Sequence, residues 1–180
     1  MLLYRKEVPL MKQKEGIKFE LITLSASNAT VEYVNWFRDP EVSRNILWRP
    51  PCSIDEAIQR LTEYIISSES NPEIELLGII LDGKHVGNVR FANITKDSDV
   101  CTVGILIGEA SARGIGLAPL ALTQACHYIN QIHKIRVFEL RVYSWNIGAI
   151  RAYSKAGFNI IERGKKVEQH PDGTIMSFMI

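Results

Sequence analysis

The chain has 180 residues, 46% of them apolar and 23% charged, a balance that fits one globular domain and excludes disordered, collagen-like and disulfide-scaffold classes. Lys and Arg total 21 against 20 Asp and Glu, so a net charge of +1 offers no field for nucleic acid or an anionic membrane, and neither is expected as a partner. The three cysteines, Cys52, Cys101 and Cys126, are far apart and form no CxxC pair, which points to a reducing, cytoplasmic setting without disulfides. Arg5, Lys6 and Glu7 interrupt the N-terminus before a signal-peptide core could form, and no run of about 18 apolar residues occurs, so neither secretion nor a membrane span is expected.

Residues 1–17 read as a flexible N-terminal extension, because Lys12, Lys14, Glu15 and Gly16 break any periodicity, and residues 18–180 read as a single domain. A strand is expected over 19–24. Ser27 is positioned to cap a helix over 28–38, in which Val31, Val34 and Phe37 recur at helical spacing beside Trp36. Asp39-Pro40-Glu41-Val42 restarts the chain, since a residue before proline is pushed out of the α region. After Pro50-Pro51, Ser53 with Asp55 and Glu56 opens a second helix through Ala57, Leu61 and Ile65. Strands over 74–81, 85–94 and 100–107 follow as an antiparallel meander, turning at 82–84 and 96–99. A helix over 117–132, a strand over 136–143 and a helix over 147–156 come next. Two strands, 158–167 and 175–180, end the chain across a turn at His170-Pro171-Asp172-Gly173. The order β-αα-βββ-α-β-α-ββ predicts an α+β fold, a mixed and mostly antiparallel central sheet flanked by helices.

The segment 103–122 places a strand, a glycine loop and a long helix in succession, a layout suited to phosphate. Gly114 and Gly116 remove side chains where an anion would approach, so successive backbone N–H groups can point at it, and the helix N-terminus adds its positive end. Pro119, which lacks an N–H, suits the first helical turn. A Gly-x-Gly alone also serves as an ordinary helix-opening turn. No Gly-Lys-Ser/Thr follows, and the third glycine of a dinucleotide fingerprint is missing, so a nucleotide triphosphatase loop and a Rossmann site are both disfavoured. His127 and His133 are too isolated for a metal site, and no metal is expected.

Arg113-Gly114-Ile115-Gly116-Leu117-Ala118 fits the Q/R-x-x-G-x-G/A signature of the GNAT N-acetyltransferases. About thirty residues on, the stretch from Asn146 through Ala149-Ile150, Tyr153 and Lys155 to Gly157-Phe158 resembles the same family's N-x-x-A-I-x-x-Y-x-K-x-G-F motif. The resemblance covers roughly residues 18–180. It implies that acetyl-coenzyme A binds in a V where two parallel strands, 100–107 and 136–143, part. The pantetheine amides would then pair with the strand edge at Val103, Ile105 and Ile107. The pyrophosphate would meet N–H groups from Arg113, Gly114, Ile115, Gly116, Leu117 and Ala118, and Asn146 would hydrogen-bond the cofactor arm. Tyr153 would be the general acid that protonates the departing thiolate. Trp36-Phe37-Arg38-Asp39-Pro40-Glu41-Val42 resembles the W-R-(N/D)-x-P-E-V stretch of the branch that holds ribosomal-protein N-terminal and nucleotide amino-sugar acetyltransferases.

Within that resemblance the acceptor side holds Trp36, Arg44, Trp48 and Arg49. Two arginines flanking a tryptophan can grip a phosphate and stack a base or sugar, or form a solvated basic loop around one core aromatic. The expected acceptor is a small-molecule amine such as a nucleotide-linked amino sugar, with a peptide N-terminus as the alternative and a non-catalytic acyl-coenzyme A sensor as a third reading. Many relatives carry a glutamate where this chain has Thr102, so the base is left open between Glu75, Glu109 and His85. Direct transfer is expected over an acyl-enzyme through Cys101 or Cys126, since a buried free cysteine usually behaves as a small hydrophobe. Exposed strand edges are compatible with a monomer or a homodimer.

Overall fold

Apolar residues alternate along the strands and recur every third or fourth position along the helices, and the two patterns meet in two cores on opposite faces of one sheet. The computed structural model describes residues 16–167 and 170–179; in the last two strands, side chains are described as far as Glu162 and at Met176 and Phe178. Most of the expected N-terminal extension, residues 1–15, lies outside the described residues, whereas Ile17 already packs against the larger core.

Seven strands form one sheet in the order β1-β2-β3-β4-β5-β7-β6: β1 (Phe19–Thr23), β2 (Glu75–Leu81), β3 (Lys84–Ala92), β4 (Val100–Ile107), β5 (Val137–Tyr143), β6 (Asn159–Val167) and β7 (His170–Met179). Every neighbouring pair is antiparallel except β4 and β5, so the sheet is mixed as expected. The β2–β3 hairpin turns through Asp82 and Gly83, both at positive φ (50° and 76°), a backbone twist that matches the twist of the strands it joins. One face of the sheet packs on α4 (Leu117–His133) and α5 (Ile147–Lys155), with Leu117, Leu122, Ile129, Phe91 and Phe138 fully buried between them. The other face is covered by α1 (Val31–Trp36) and α3 (Ile54–Ser70), which bury Tyr33, Val34, Leu61 and Ile65, with the short α2 (Pro40–Ser43) between them in the chain. Burying each such aliphatic side chain stabilises the fold by about 1.5–3 kcal/mol before entropy is counted.

Three local expectations are corrected. The first helix does not start at Ser27. The Asn28 side chain accepts from the Ser25 backbone N–H at 2.9 Å and closes a 3-10 turn over Ala26–Asn28, so α1 restarts behind Thr30, whose hydroxyl accepts from Tyr33 N–H at 3.2 Å. Asp39-Pro40 does more than break the chain: Asp39 caps a separate short helix with Pro40 in its first turn, giving three helices where two were expected. The segment His170-Pro171-Asp172-Gly173 is strand rather than turn, since β6 and β7 pair out to Val167↔His170. Register shifts on β6 between Arg163 and Val167 give this end of the ladder its irregularity, the setting in which a proline is tolerated inside a strand.

Candidate functional site

The site follows from how β4 and β5 are paired. They are parallel and in register over only three positions, Val100↔Val137, Cys101↔Phe138 and Thr102↔Glu139, while β4 stays bonded to β3 as far as Ile107 and β5 stays bonded to β7 as far as Tyr143. Beyond Thr102 the two strands therefore part, leaving strand edges that face each other without pairing, as the V expected from the resemblance requires. A cavity of about 720 Å³ occupies this fork.

At the wide end of the fork β4 runs into the glycine loop. Gly114 and Gly116 have φ of 75° and 92°, and a Cβ added to either would meet nothing within 4 Å, so the loop presents bare backbone to open space. Gly116 opens α4 with no side-chain cap, leaving the first N–H groups of a 17-residue helix unused at the cavity wall. Arg44, Arg113, Arg141, Arg151 and Lys155 line the cavity against one carboxylate, Glu41, a concentration of positive charge that the near-neutral chain as a whole lacks. Residues and charge fit a slender ligand ending in phosphates.

The expected cofactor residues divide by side chain. Ile105, Ile107, Gly114, Gly116, Leu117, Ala118 and Asn146 line the cavity; Val103 sends its side chain into the core, and Ile115 points outward, so both could act only through backbone. Arg113 is an anchor rather than a free phosphate ligand: its Nε donates to Ile107 O at 3.0 Å, its Nη2 bonds Gly108 O, and the same nitrogen pairs with Asp39 at 2.7 Å. Asn146 caps α5, its Oδ1 accepting from Ala149 N–H at 3.2 Å, which explains the asparagine-to-alanine spacing and leaves its amide N–H groups for a ligand. Tyr153 lies at the cavity wall, only 8% exposed, and burial pushes its phenol up to about 12, so it is protonated near neutral pH.

Of the four acceptor-side residues, the structure brings only Arg44 to the cavity, paired with Glu41 at 2.7 Å. Trp36 is buried in the smaller core, packed against Tyr33 and the edge of His85, and a Cβ at Gly108 would overlap its indole. Trp48 packs edge-on against Phe37, and the Arg49 guanidinium donates back to the carbonyls of Ile46 and Trp48. None of the three base candidates lines the cavity. Glu75 pairs with His133 at 3.0 Å; Glu109 pairs with Lys84 at 2.5 Å, which holds its carboxyl below the usual range; His85 is bonded to Asn88, and burial lowers its pKa. Burial pushes the Cys101 thiol up to about 12 and Cys126 well above its ordinary value, so neither is a ready nucleophile.

Sequence reasoning missed Asn45, Arg141, Trp145, Arg151 and Lys155 at the wall. Arg151 and Lys155 stand about one and two helical turns beyond Gly148, whose own added Cβ would meet nothing, so a helical count from Gly148 would have found them. Asn45 Oδ1 is buried without a hydrogen-bond partner, a feature visible only in the folded chain. Among the described residues no cluster of three or more His, Cys, Asp or Glu could hold a metal, and no helix is long and apolar enough to cross a membrane.

A family model described as an acetyltransferase (GNAT) domain matches residues 19–159. No curated protein matches the sequence. Among solved structures the chain is similar to RimL, a ribosomal L7/L12 alpha-N-protein acetyltransferase in complex with coenzyme A, at 15% identity and a TM-score of 0.80, covering 97% of this chain and 98% of that one. It is similar to the microcin C7 self-immunity acetyltransferase MccE in complex with acetyl-CoA and AMP, at 17% identity and a TM-score of 0.75 over 91% and 93% of the two chains. A third likeness is to spermidine N-acetyltransferase from Vibrio cholerae in complex with CoA and spermine, at 17% identity and a TM-score of 0.74 over 89% and 95%.

Proposed function

The chain belongs to the GNAT acetyltransferase family, and on that premise we propose that it transfers the acetyl group of acetyl-coenzyme A directly to the primary amine of a small molecule that also carries an anionic group. The observation that carries this reading is the basic fork: open strand edges for the pantetheine arm, a bare glycine loop and uncapped helix end for the pyrophosphate, and a wall to which Arg141, Arg151 and Lys155 add positive charge beyond the Arg44–Glu41 and Arg113–Asp39 pairs. Bound there, acetyl-coenzyme A supplies an activated acyl group as a thioester. Ile105 and Ile107 flank the arm, Asn146 offers its amide to it, and Tyr153 holds a proton where the thiolate would leave.

A surplus of positive charge repels a polyamine and attracts an amine bearing a carboxylate or phosphate. The nucleotide-sugar grip first read from Arg44, Trp48 and Arg49 keeps only Arg44, so a base-stacking tryptophan is no longer part of the reading. The AMP in the MccE complex leaves a nucleotide-linked amine within the class, and the likeness to RimL supports a peptide N-terminus as the second reading. A sensor without chemistry would have no use for the protonated Tyr153 beside the cavity.

Adding acetyl-coenzyme A to the pure protein should raise its melting temperature by mass action, and free-thiol release should follow on mixing with anionic amines ahead of spermidine or an N-terminal peptide. No shift at saturating coenzyme would sink the reading. A shift with turnover on the peptide alone would replace its acceptor.

A further inference from the structure

We propose that Glu139 is the general base that takes the proton of the acceptor amine, standing in from the neighbouring strand for the carboxylate that Thr102 cannot supply. The inference rests on the transferase reading above and deepens it.

An amine bound as ammonium must lose a proton before it attacks a carbonyl carbon, so the acceptor side of the fork needs a proton acceptor. Thr102↔Glu139 is the last pair before β4 and β5 separate, which sets these two side chains next to each other at the vertex of the V. Their face follows from the pleat. Phe138, Leu140 and Val142 on β5, and Cys101 and Val103 on β4, all enter the core against α4, so Glu139, Thr102 and Gly104 point to the opposite face. There Thr102 is exposed, Glu139 is half-buried, and a Cβ added at Gly104 would meet nothing within 4 Å, leaving room for an incoming amine; Glu139 stands at the vertex, outside the cavity lining, which begins at Ile105 on β4 and at Arg141 on β5. Tyr153 belongs to the α4 side. The proton donor and the proposed acceptor thus flank the fork from its two faces, so the proton leaves the nitrogen on one side while another reaches the sulfur on the other.

The remaining carboxylates around the site are engaged: Asp39 with Arg113, Glu109 with Lys84, Glu75 with His133, and Glu41 with Arg44. Among the described residues no ion pair or hydrogen bond engages Glu139. Charged and titratable groups on its face include Arg90 and His85 of β3, Tyr33 of α1 packed on His85, Tyr64 of α3, whose phenol feels the Arg90 charge, and Arg141 further along β5; Ser177 of β7 is its register partner. The step balances. The ammonium proton passes to Glu139, directly or through one water; the nitrogen forms the N–C bond; the C–S bond breaks; the thiolate takes the Tyr153 proton. Solvent then restores both side chains.

The test is Glu139→Gln in the full chain, read by three measurements. Acetyl-coenzyme A should raise the melting temperature of variant and wild type equally, whereas the further shift produced by the amine in the absence of acetyl donor should shrink in the variant. Turnover of the best amine should fall about 100-fold in kcat, the order contributed by a positioned base, and recover as pH rises towards the amine's own pKa. Thr102→Glu added to the variant should restore part of the rate. If Glu139→Gln does not fold, Glu139→Asp, which keeps the charge on a shorter arm, should show a smaller loss of kcat with the KM for coenzyme unchanged. Wild-type kcat and amine binding in a folded variant would overturn Glu139 alone and turn attention to Glu41. A wild type that binds coenzyme but acetylates no amine would overturn the transferase reading and the base with it.

Discussion

Tyr153 and Trp36 are aromatic residues that the chain treats in opposite ways. Tyr153 sits against Phe158 at the edge of the larger core and lines the cavity, and its raised pKa follows from burial alone. A phenol that stays protonated at every physiological pH can hydrogen-bond the thiolate as it forms, although at about 12 it is a weaker acid than a thiol and the raised value does not itself drive the transfer. Tyr153→Phe should therefore lower kcat by about 10²–10⁴-fold while leaving the coenzyme-induced melting shift intact; a variant that keeps wild-type kcat removes Tyr153 from the chemistry. Trp36 is shut in by a glycine far along the chain. Gly108 has room for no Cβ because the Trp36 indole lies against it, so Gly108→Ala should cost about 1–3 kcal/mol through overpacking and lower the melting temperature. An unchanged melting point would mean that the indole can swing aside. The sequence could suggest Trp36 as an acceptor residue because nothing local distinguishes a wall tryptophan from a buried one; its partner is decided by the fold.

Elements whose signals are local were legible. β4 was expected over 100–107 and forms there; α3 starts behind Ser53 and buries Ala57, Leu61 and Ile65 at fourfold spacing; α4 and α5 open at the expected residues. What was missed depended on competition between two caps or on pairing with a distant strand. Ser27 and Thr30 are both good caps, and the Asn28 side chain decides between them by closing an earlier turn. His170-Pro171-Asp172-Gly173 has a turn's composition, yet Gly173 pairs with Tyr143 on one side and Lys165 on the other, and ladder bonds on both sides outweigh local preference. At the loop–α4 junction, Gly116 combines positive φ with the absence of a capping side chain. Gly116→Ala should cost about 1–2 kcal/mol in stability from the left-handed backbone alone. It should also weaken coenzyme binding, because a relaxed backbone re-aims the N–H groups; a titration showing unchanged affinity would separate the helix end from phosphate recognition.

Across the whole molecule, the two sides of the site are tied by one guanidinium. Arg113 bonds the carbonyls of Ile107 and Gly108, where β4 ends, and reaches Asp39, whose other oxygen accepts the Glu41 N–H that opens α2. Helix α2 and the turn after it, which present Glu41, Arg44 and Asn45 to the cavity, are in this way fastened to the strand and loop expected to hold the donor. Hydrogen bonds from Arg113 and from the Glu41 backbone hold the Asp39 carboxyl below its ordinary value of 3.8. With a lowered folded pKa, the unfolded chain binds the proton more readily, so stability from this group is fully present above its ordinary value and is lost as pH falls through the folded one. Both partners are partly exposed, which limits the contribution to roughly 0–1 kcal/mol. Asp39→Asn should accordingly lower the melting temperature slightly at pH 7, and the gap to wild type should close as pH is taken below about 3.8. If α2 borders the acceptor, as proposed above, the same variant should raise the KM of the amine more than that of acetyl-coenzyme A. Equal effects on both would place Asp39 in the general stability of the fold, and a melting gap that persists in acid would show that the loss came from packing rather than from the charge.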